Sequence, residues 1–426
     1  MKKISIYHFN TNLQGGAAIA AQRLFNSLEM YEDLNTRFYN NDHSGNKGYF
    51  HFYDIVYPSF YEQAVNKTFF SGDTKHKILK EFSKYLEGRP GGLEPFDAPF
   101  KYKTVIPKPL PDIIHLHWIS GFIDYPSFFK SIPSHIPIVW TLHDMNPFTG
   151  GCHYSNNCTK YKTTCETCPQ LGPYARFDLA KYCFEKKMDA FSKRNLHIVA
   201  DSEWLKEEAG KSAIFKEAKS IQCIHYGLDS SVFVPRDKVS CRHVLGLENG
   251  TDDFVLCFGA EYVDNKRKGL KELAAALNIL KSQGLKITCL VFGNGNFESF
   301  DEFKMIKFGQ VNVLNYLNII YNAADLFIIP SLEEAFGQTC LEAMSCGVPV
   351  VGFNTGGIPD MIIDHETGLL AETGNITDLA EKIKLLLGDN ELRKKMSSNC
   401  RKKVLSEFTL NIQAANYYEL YKRILS

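Results

Sequence analysis

Nowhere in the 426 residues is there a run of about 18 apolar residues, the length a membrane-spanning helix needs. The first residues, Met1-Lys-Lys-Ile-Ser-Ile-Tyr-His-Phe, pass from two lysines straight into a strand-like alternation without an apolar signal core. Neither export nor spanning is indicated, and a cytoplasmic protein, able to work at the inner face of a membrane, is expected. Net charge is missing too. Lys and Arg total 48 against 48 Asp and Glu, so no global field favours nucleic acid as a partner. No Asp-x-Asp occurs, which removes the usual carboxylate pair for holding a divalent ion on a diphosphate. No complete G-x-G-x-x-G occurs either, which counts against a dinucleotide site. Internal repeats and low-complexity tracts are likewise absent.

What is there reads as a folded α/β chain. An apolar content of 44% with 23% charged residues is that of a soluble globular protein. The length suffices for two domains, each with its own core. Twelve cysteines scattered through so long a chain suggest reduced thiols rather than a disulfide frame. Strand-like runs alternate with amphipathic segments in both halves, the pattern of parallel sheets. In the first half these runs are Ile4–Phe9, Ile113–His117, Ile138–Leu142 and His197–Ala200. In the second they are Phe254–Phe258, Ile287–Phe292, Leu326–Ile329 and Val348–Phe353. The turn-rich stretch Tyr226 to Pro235 marks the join, and Leu410 to Leu425 reads as a last helix.

The segment from Pro330 to Val351 carries the most chemistry. A buried strand ends in Pro330-Ser331, a helix is expected to open near Gly337, and Gly347 with Pro349 supplies its stop signals. Glu334 lies in the loop outside the carboxyl end of a strand, where open α/β sheets bind ligands. Glu342 lies within the helix, but helical side chains lean toward the N-terminus, so its carboxylate is expected at the same crevice. The helix N-terminus between them suits a phosphate. Carboxylates would repel that phosphate, so they fit sugar or ribose hydroxyls better. Taken singly, Glu334 reads as a capping acid and Glu342 as a solvated surface acid; taken together they read as a ligand site.

This segment, Glu334-Ala-Phe-Gly followed by Glu342-Ala-Met-x-Cys-Gly-x-Pro-Val-Val, resembles the signature of retaining GT-B glycosyltransferases of family 4, the exopolysaccharide and capsule subset in particular. The resemblance covers nearly the whole chain. It implies two Rossmann-like parallel-sheet domains facing a cleft: residues 1–230 on the acceptor side, 231–408 binding the nucleotide sugar, and 409–426 as a helix crossing back. The implied activity is retaining transfer of a hexosyl group from a nucleotide-diphospho-sugar to a hydroxyl acceptor, a glycan or lipid-linked glycan of surface polysaccharide synthesis. Its chemistry would need no metal or other cofactor. Rival readings are a nucleotide-sugar epimerase of similar shape, phosphorylase chemistry, and a catalytically silent sugar-nucleotide binder.

Residue by residue, the resemblance assigns Glu334 to the donor sugar and Glu342 to the ribose, with Phe336, Gly337 and Gln338 between them. Gly15-Gly16 matches a Gly-Gly-Ala loop after the first strand, which would contact the donor; by itself the pair is a tight turn. Lys268-Gly269 matches a Lys-Gly that neutralises the donor diphosphate, but the expected Arg is replaced by Ala260, and Arg267 is the candidate replacement. Asn294, in Phe292-Gly-Asn-Gly-Asn296, lines the donor site or is a plain turn residue. His143, at the end of a strand, would touch the donor sugar as a neutral imidazole. His115 and His117 are expected to alternate across a strand end, leaving His117 as the acceptor-side candidate.

Two features lie outside that pattern. Cys152, Cys158, Cys165 and Cys168, ending in Cys-x-x-Cys, are candidate ligands of a structural zinc, with His153 as an alternative ligand; free thiols or transient disulfides are the other readings. Phe69, Phe70 and Phe82 are interleaved with Lys75, Lys77, Lys80 and Lys84 before Arg89-Pro-Gly-Gly. That segment reads as an ordinary amphipathic helix or as a peripheral membrane contact.

Overall fold

A computed structural model describes residues 3–42, 47–56, 96–99, 101, 103–171, 178–247, 253–297 and 303–426. The basic-aromatic segment around Phe69 to Arg89 falls outside these residues. Two compact units emerge, one of Met1–Ile224 with Ala414–Ser426, the other of His225–Gln413. Among the described residues, no helix is long and apolar enough to cross a membrane.

Among the described residues, seven parallel strands form the sheet of the first unit: β1 (Ile4–Phe9), β2 (Leu34–Asn40), β3 (Tyr49–His51), β4 (Ile113–Leu116), β5 (Ile138–Leu142), β6 (Leu196–Ala200) and β7 (Ser220–Cys223). Their order is β3-β2-β1-β4-β5-β6-β7. The order reverses between β1 and β4, and such a switch point opens a crevice at the carboxyl ends of the strands. One face of this sheet packs Ile6, Ile113, Val139 and Val199 against Leu24 and Leu28 and against Tyr417 and Tyr421 of the last helix, Leu410–Leu425. Both faces of a parallel sheet are covered, which is why these strands read as apolar runs.

The second sheet has, among the described residues, six parallel strands: β8 (Phe254–Tyr262), β9 (Ile287–Asn294), β10 (Lys304–Lys307), β11 (Leu326–Ile329), β12 (Val350–Phe353) and β13 (Gly368–Ala371). They run in the order β10-β9-β8-β11-β12-β13, so the switch point lies between β8 and β11. Leu256, Val291, Ile328 and Val351 pack there against Leu273 and Leu277 of helix Leu270–Ser282 and Ile383 of helix Ile376–Gly388.

Local chemistry sets the element ends. Helix Gln338–Ser345 opens at Gly337, whose φ of 106° few side-chain-bearing residues adopt. It closes at Gly347, also left-handed, with Gly347 N–H on the Met344 carbonyl and Val348 N–H on that of Ala343, a Schellman-type stop. The following strand begins at Val350 rather than Val348, because Pro349 has no N–H to give the ladder.

Candidate functional site

The site in the second unit is built by two loops at the β8/β11 switch point. After β8, Lys266–Lys268 forms a single 3-10 turn, opened by Asn265 Oδ1 accepting from Arg267 N–H at 3.1 Å. After β11, the chain from Pro330 to Gly337 turns into helix Gln338–Ser345. The loops are pressed together. A Cβ on Gly269, at φ +70°, would come within 1.7 Å of the Pro330 carbonyl oxygen, and Leu332 N–H donates to the Arg267 carbonyl at 2.7 Å. Lys268 Nζ is thereby placed 2.5 Å from Glu334 Oε2, with Arg267 Nη1 at 3.7 Å from the same oxygen. Ser331 Oγ donates to it at 3.3 Å.

Glu334 is 7% exposed. Burial works to raise its pKa; the charges of Lys268 and Arg267, with hydrogen bonds from Lys268 and Ser331, outweigh that and hold it below the ordinary carboxylate value. The capping-acid reading fails, since no side chain caps helix Gln338–Ser345. The surface reading of Glu342 fails too: it is 6% exposed, and its Oε2 accepts from Tyr321 Oη at 3.0 Å. A third loop, after β12, braces the cluster. Gly357 N–H donates to the Glu334 carbonyl at 3.0 Å and Thr355 Oγ1 to that of Leu332 at 3.0 Å. A Cβ on Gly356 would lie 1.9 Å from the Glu334 carbonyl oxygen.

Other donor-side candidates fall differently. Phe336 is 1% exposed and its ring lies among Tyr226, His225 and Phe408, so it anchors the loop rather than facing a ligand. Gln338 is half-buried in the first turn of its helix. Asn294 ends β9, with Nδ2 3.4 Å from Gln310 Oε1. Ala260 is a core position in this chain: β8 continues through Tyr262, and Ala260 packs with Leu256 and Val291. An Arg at this position would bury its charge, whereas Arg267 comes to Glu334 from the turn below.

In the first unit, Gly15 is the left-handed N-cap of helix Gly16–Ser27, at φ 90°, and Gly16 is exposed beside it. His143 directly follows β5 and is 9% exposed; burial lowers its pKa to about 4, partly opposed by Asp144. The expected alternation of His115 and His117 is wrong. Side chains two apart on a strand share a face, and the two rings stack at 4.2 Å. His117 is 1% exposed, with Nε2 3.1 Å from His8 Nδ1 and Nδ1 3.4 Å from His143 Nε2, so it is turned into the unit rather than toward an acceptor.

Beyond β5, Cys152, Cys158, Cys165 and Cys168 line one pocket with Gly150, Tyr161 and Gln170. A tetrahedral zinc with bonds of about 2.3 Å would hold its sulfurs about 3.8 Å apart. Among the described residues, the groups of three or more ligand atoms within 4.8 Å of one another include His8, His115 and His117 but not these cysteines. Burial also raises the thiol pKa of Cys152, Cys165 and Cys168, to about 12 for Cys165. The arrangement therefore does not support the expected structural zinc. His153, the alternative ligand, is taken by two carboxylates instead: Nδ1 is 2.6 Å from Asp144 Oδ2 and Nε2 is 2.9 Å from Asp97 Oδ2. Burial works to lower its pKa, and the two acids override it and raise the value to about 10.

Residues 247–403, within the second unit, match the family model "Glycosyl transferases group 1". This region belongs to the group 1 glycosyl transferases. Among curated proteins, the chain is 30% identical over 237 residues to a capsular polysaccharide biosynthesis glycosyltransferase, CapM, of Staphylococcus aureus. It is 27% identical over 232 residues to an N-acetyl-alpha-D-glucosaminyl L-malate synthase of Bacillus anthracis. These alignments cover 54% and 50% of this chain, and the chain spans 62% and 56% of the two relatives. Among solved structures, the sucrose-phosphate synthase of Thermosynechococcus elongatus matches with a TM-score of 0.66 at 20% identity, over 99% of both chains. Anabaena HepE in complex with UDP and glucose matches with a TM-score of 0.56 at 16% identity, over 98% and 99%. The fold is that of the GT-B glycosyltransferases.

Within the group 1 region, motif spacing leads to Glu334, Glu342 and Lys268 but not to what holds them. Tyr321 and the Thr355-Gly356-Gly357 brace went unread. The brace had a signal, a Gly-Gly turn directly after a buried strand. Tyr321 had none, because its partner Glu342 is 21 residues away on another helix.

Proposed function

We propose that the chain moves a hexosyl group, with retention, from a nucleotide-diphospho-sugar to a hydroxyl acceptor, a glycan or lipid-linked glycan of surface polysaccharide synthesis. The observation that carries this reading is the buried Glu334 carboxylate with Lys268 and Arg267 at the switch point of the group 1 region. Lys268 and Arg267 both meet Glu334 at this edge, and cations gathered there suit a diphosphate. Negative charge grows on the leaving phosphate as the glycosidic bond breaks, and a cation already in place stabilises it without reorganisation. Glu334, paired and ionised, accepts from sugar hydroxyls. Glu342, held by Tyr321, does the same for ribose. A capsular polysaccharide glycosyltransferase among the relatives, and a fold neighbour solved with UDP and glucose, support the substrate class.

Lys268→Ala is expected to cost about 2–4 kcal/mol of transition-state stabilisation, the size of a lost oxyanion donor. The measurement is kcat/KM for nucleotide release from UDP-, GDP- and ADP-sugars, with and without acceptor. Wild-type turnover in that variant would remove Lys268 from the site. Conversion of the donor to an isomeric nucleotide sugar, with no nucleotide released whether or not acceptor is present, would favour the epimerase reading.

A further inference from the structure

Within the first unit, three segments meet just past the carboxyl ends of β4 and β5. Trp118 lies two residues beyond β4 and Asp144 two residues beyond β5. Phe96 forms an antiparallel bridge with Cys152, and Asp97 N–H donates to the Gly151 carbonyl at 2.9 Å. A Cβ on Gly151, at φ +148°, would come within 2.4 Å of the Phe96 ring, so glycine is what lets these segments approach.

Their side chains join through His153. Trp118 Nε1–H donates to Asp144 Oδ2 at 2.9 Å, and His153 Nδ1–H to the same oxygen at 2.6 Å. His153 Nε2–H donates to Asp97 Oδ2 at 2.9 Å, and Ser120 Oγ to that oxygen at 2.8 Å. Asp144 Oδ1 accepts from Asn146 N–H at 2.8 Å. Among the described residues, the carboxylate oxygen left over is Asp97 Oδ1. It belongs to the one accessible member of the trio: the Asp97 side chain is 36% exposed, against 6% for His153 and 9% for Asp144. A purely structural latch is complete with Asp97 Oδ2. The second oxygen is held in a fixed orientation at the surface with no partner in the chain.

The charges around it select a ligand. Burial works to raise the pKa of Asp97, but bonds and charge from His153, the Ser120 hydroxyl and the charge of Lys187 hold it below the ordinary carboxylate value. Its carboxylate repels a phosphate or any other anion. A cation is opposed by the His153 imidazolium 2.9 Å behind that carboxylate. A neutral hydroxyl meets neither penalty, and an ionised carboxylate is a strong acceptor for one. Beside it stands Trp118, half-buried, its indole fixed by the bond to Asp144 and its ring centroid 5.7 Å from that of His153. Apolar ring surface with a few fixed polar groups is how small-molecule sites are built.

We propose that Asp97 and Trp118 form a pyranose subsite on the first unit, with sugar hydroxyls donating to Asp97 Oδ1 and the sugar's C–H face lying against the indole. The assignment of that sugar to the acceptor glycan rests on the glycosyl-transfer reading. His153 and Ser120 are positioning residues, which aim the carboxylate and touch no ligand. Asp97 binds the hydroxyl and does not take its proton.

Labelling with 5-fluorotryptophan tests the subsite without reference to turnover. The chain holds three tryptophans, and single Trp118→Phe and Trp204→Phe variants assign their 19F resonances. The probes are the methyl glycosides of glucose, galactose and N-acetylglucosamine at millimolar concentrations, with inorganic phosphate and magnesium chloride as charged controls. At least one glycoside should move the Trp118 resonance saturably, and neither control should. Asp97→Asn should weaken that glycoside about 10-fold, the size of one lost charge-assisted bond. Ser120→Ala, which loosens the carboxylate, should weaken it less. A silent Trp118, a shift with phosphate or magnesium alone, or equal affinity in Asp97→Asn overturns the proposal. Should Asp97→Asn fail to fold, equal affinity in Ser120→Ala overturns it instead. Glycoside binding at Trp118 with no nucleotide released from UDP-, GDP- or ADP-sugars would count against the transfer reading and leave the subsite standing. Nucleotide release stimulated by a glycoside that leaves Trp118 silent would do the reverse.

Discussion

Each unit gathers ionisable side chains at the carboxyl edge of a parallel sheet, and the two do so with opposite electrostatics. At the β8/β11 edge, burial is overcome by opposite charges, so Glu334 stays ionised beside Lys268 and Arg267. At the β1/β4 edge, burial wins: His8, His117 and His143 are held neutral, each the partner of another neutral ring. The lesson is that a switch point fixes where ligand groups gather but not their charge. Charge is set by which residues the adjoining loops deliver, cations in one unit and imidazoles in the other.

The comparison can be broken most sharply at Glu334. Glu334→Gln strands two largely buried cations, and the second unit should lose about 2–3 kcal/mol, somewhat less than a fully buried pair because Lys268 is partly exposed. Chemical denaturation monitored in that unit would show it; unchanged stability would mean that Lys268 is solvated and the pair incidental. His143→Gln, replacing a neutral group with another, should leave its unit far closer to wild type.

Next comes pH. Unfolded His binds a proton below about 6.5, while folded His8 and His143 stay neutral down to about 3 and about 4. In that window the unfolded state holds more protons, so the stability of the first unit falls as pH falls. His153 works the other way. Its folded pKa of about 10 means its contribution is complete below about 6.5 and is lost as pH rises through about 10. The first unit should therefore be most stable near pH 6.5, a dome that His153→Asn flattens on the alkaline side. Glu334, with a lowered pKa, contributes stability above the ordinary carboxylate value and loses it only as pH falls below that range. Hydrogen exchange in each unit between pH 5 and 9 separates the two behaviours. Parallel loss in both units at pH 5 would contradict the distinction.

Two smaller effects sharpen it. Gly356→Ala forces a side chain at φ +54° against the Glu334 carbonyl and should cost more than about 1 kcal/mol, with a raised KM for the donor. Thr141→Val removes bonds to His115 and Tyr417 and should cost about 1 kcal/mol in the first unit, with donor KM unchanged. A raised KM there would show that these hydroxyl bonds also serve the ligand.

Much of the fold could be read from apolar runs. Ile4–Phe9, Ile138–Leu142, Leu326–Ile329 and the last helix, Leu410–Leu425, stand where the pattern puts them. The strands that went unread are short or lie toward sheet edges. β10 is Lys304-Met-Ile-Lys307 on an edge, where charge is expected to keep other strands away. β13 opens with Gly368, and β2 alternates polar residues through its first half. Such strands are recruited by their neighbours rather than by their own pattern. The candidate site divides in the same way. Glu334 and Lys268 could each be singled out by residue type and place, but their ion pair spans 66 residues. The His8–His117 bond spans 109, a contact that only sheet order reveals. His117 also shows what a wrong periodicity costs: placed on the opposite face from His115, it looked like a surface ligand.

The contact of Gly269 with the Pro330 carbonyl has a consequence for evolution and for engineering. Since no Cβ fits between the two loops, neither can change its backbone path while the other stays fixed. Residues 263–269 and 330–337 are therefore one inheritable part split in two by 60 residues of sequence. A chimera that imports the Glu334 loop from a relative should keep its cation in register only if the Lys268 turn travels with it.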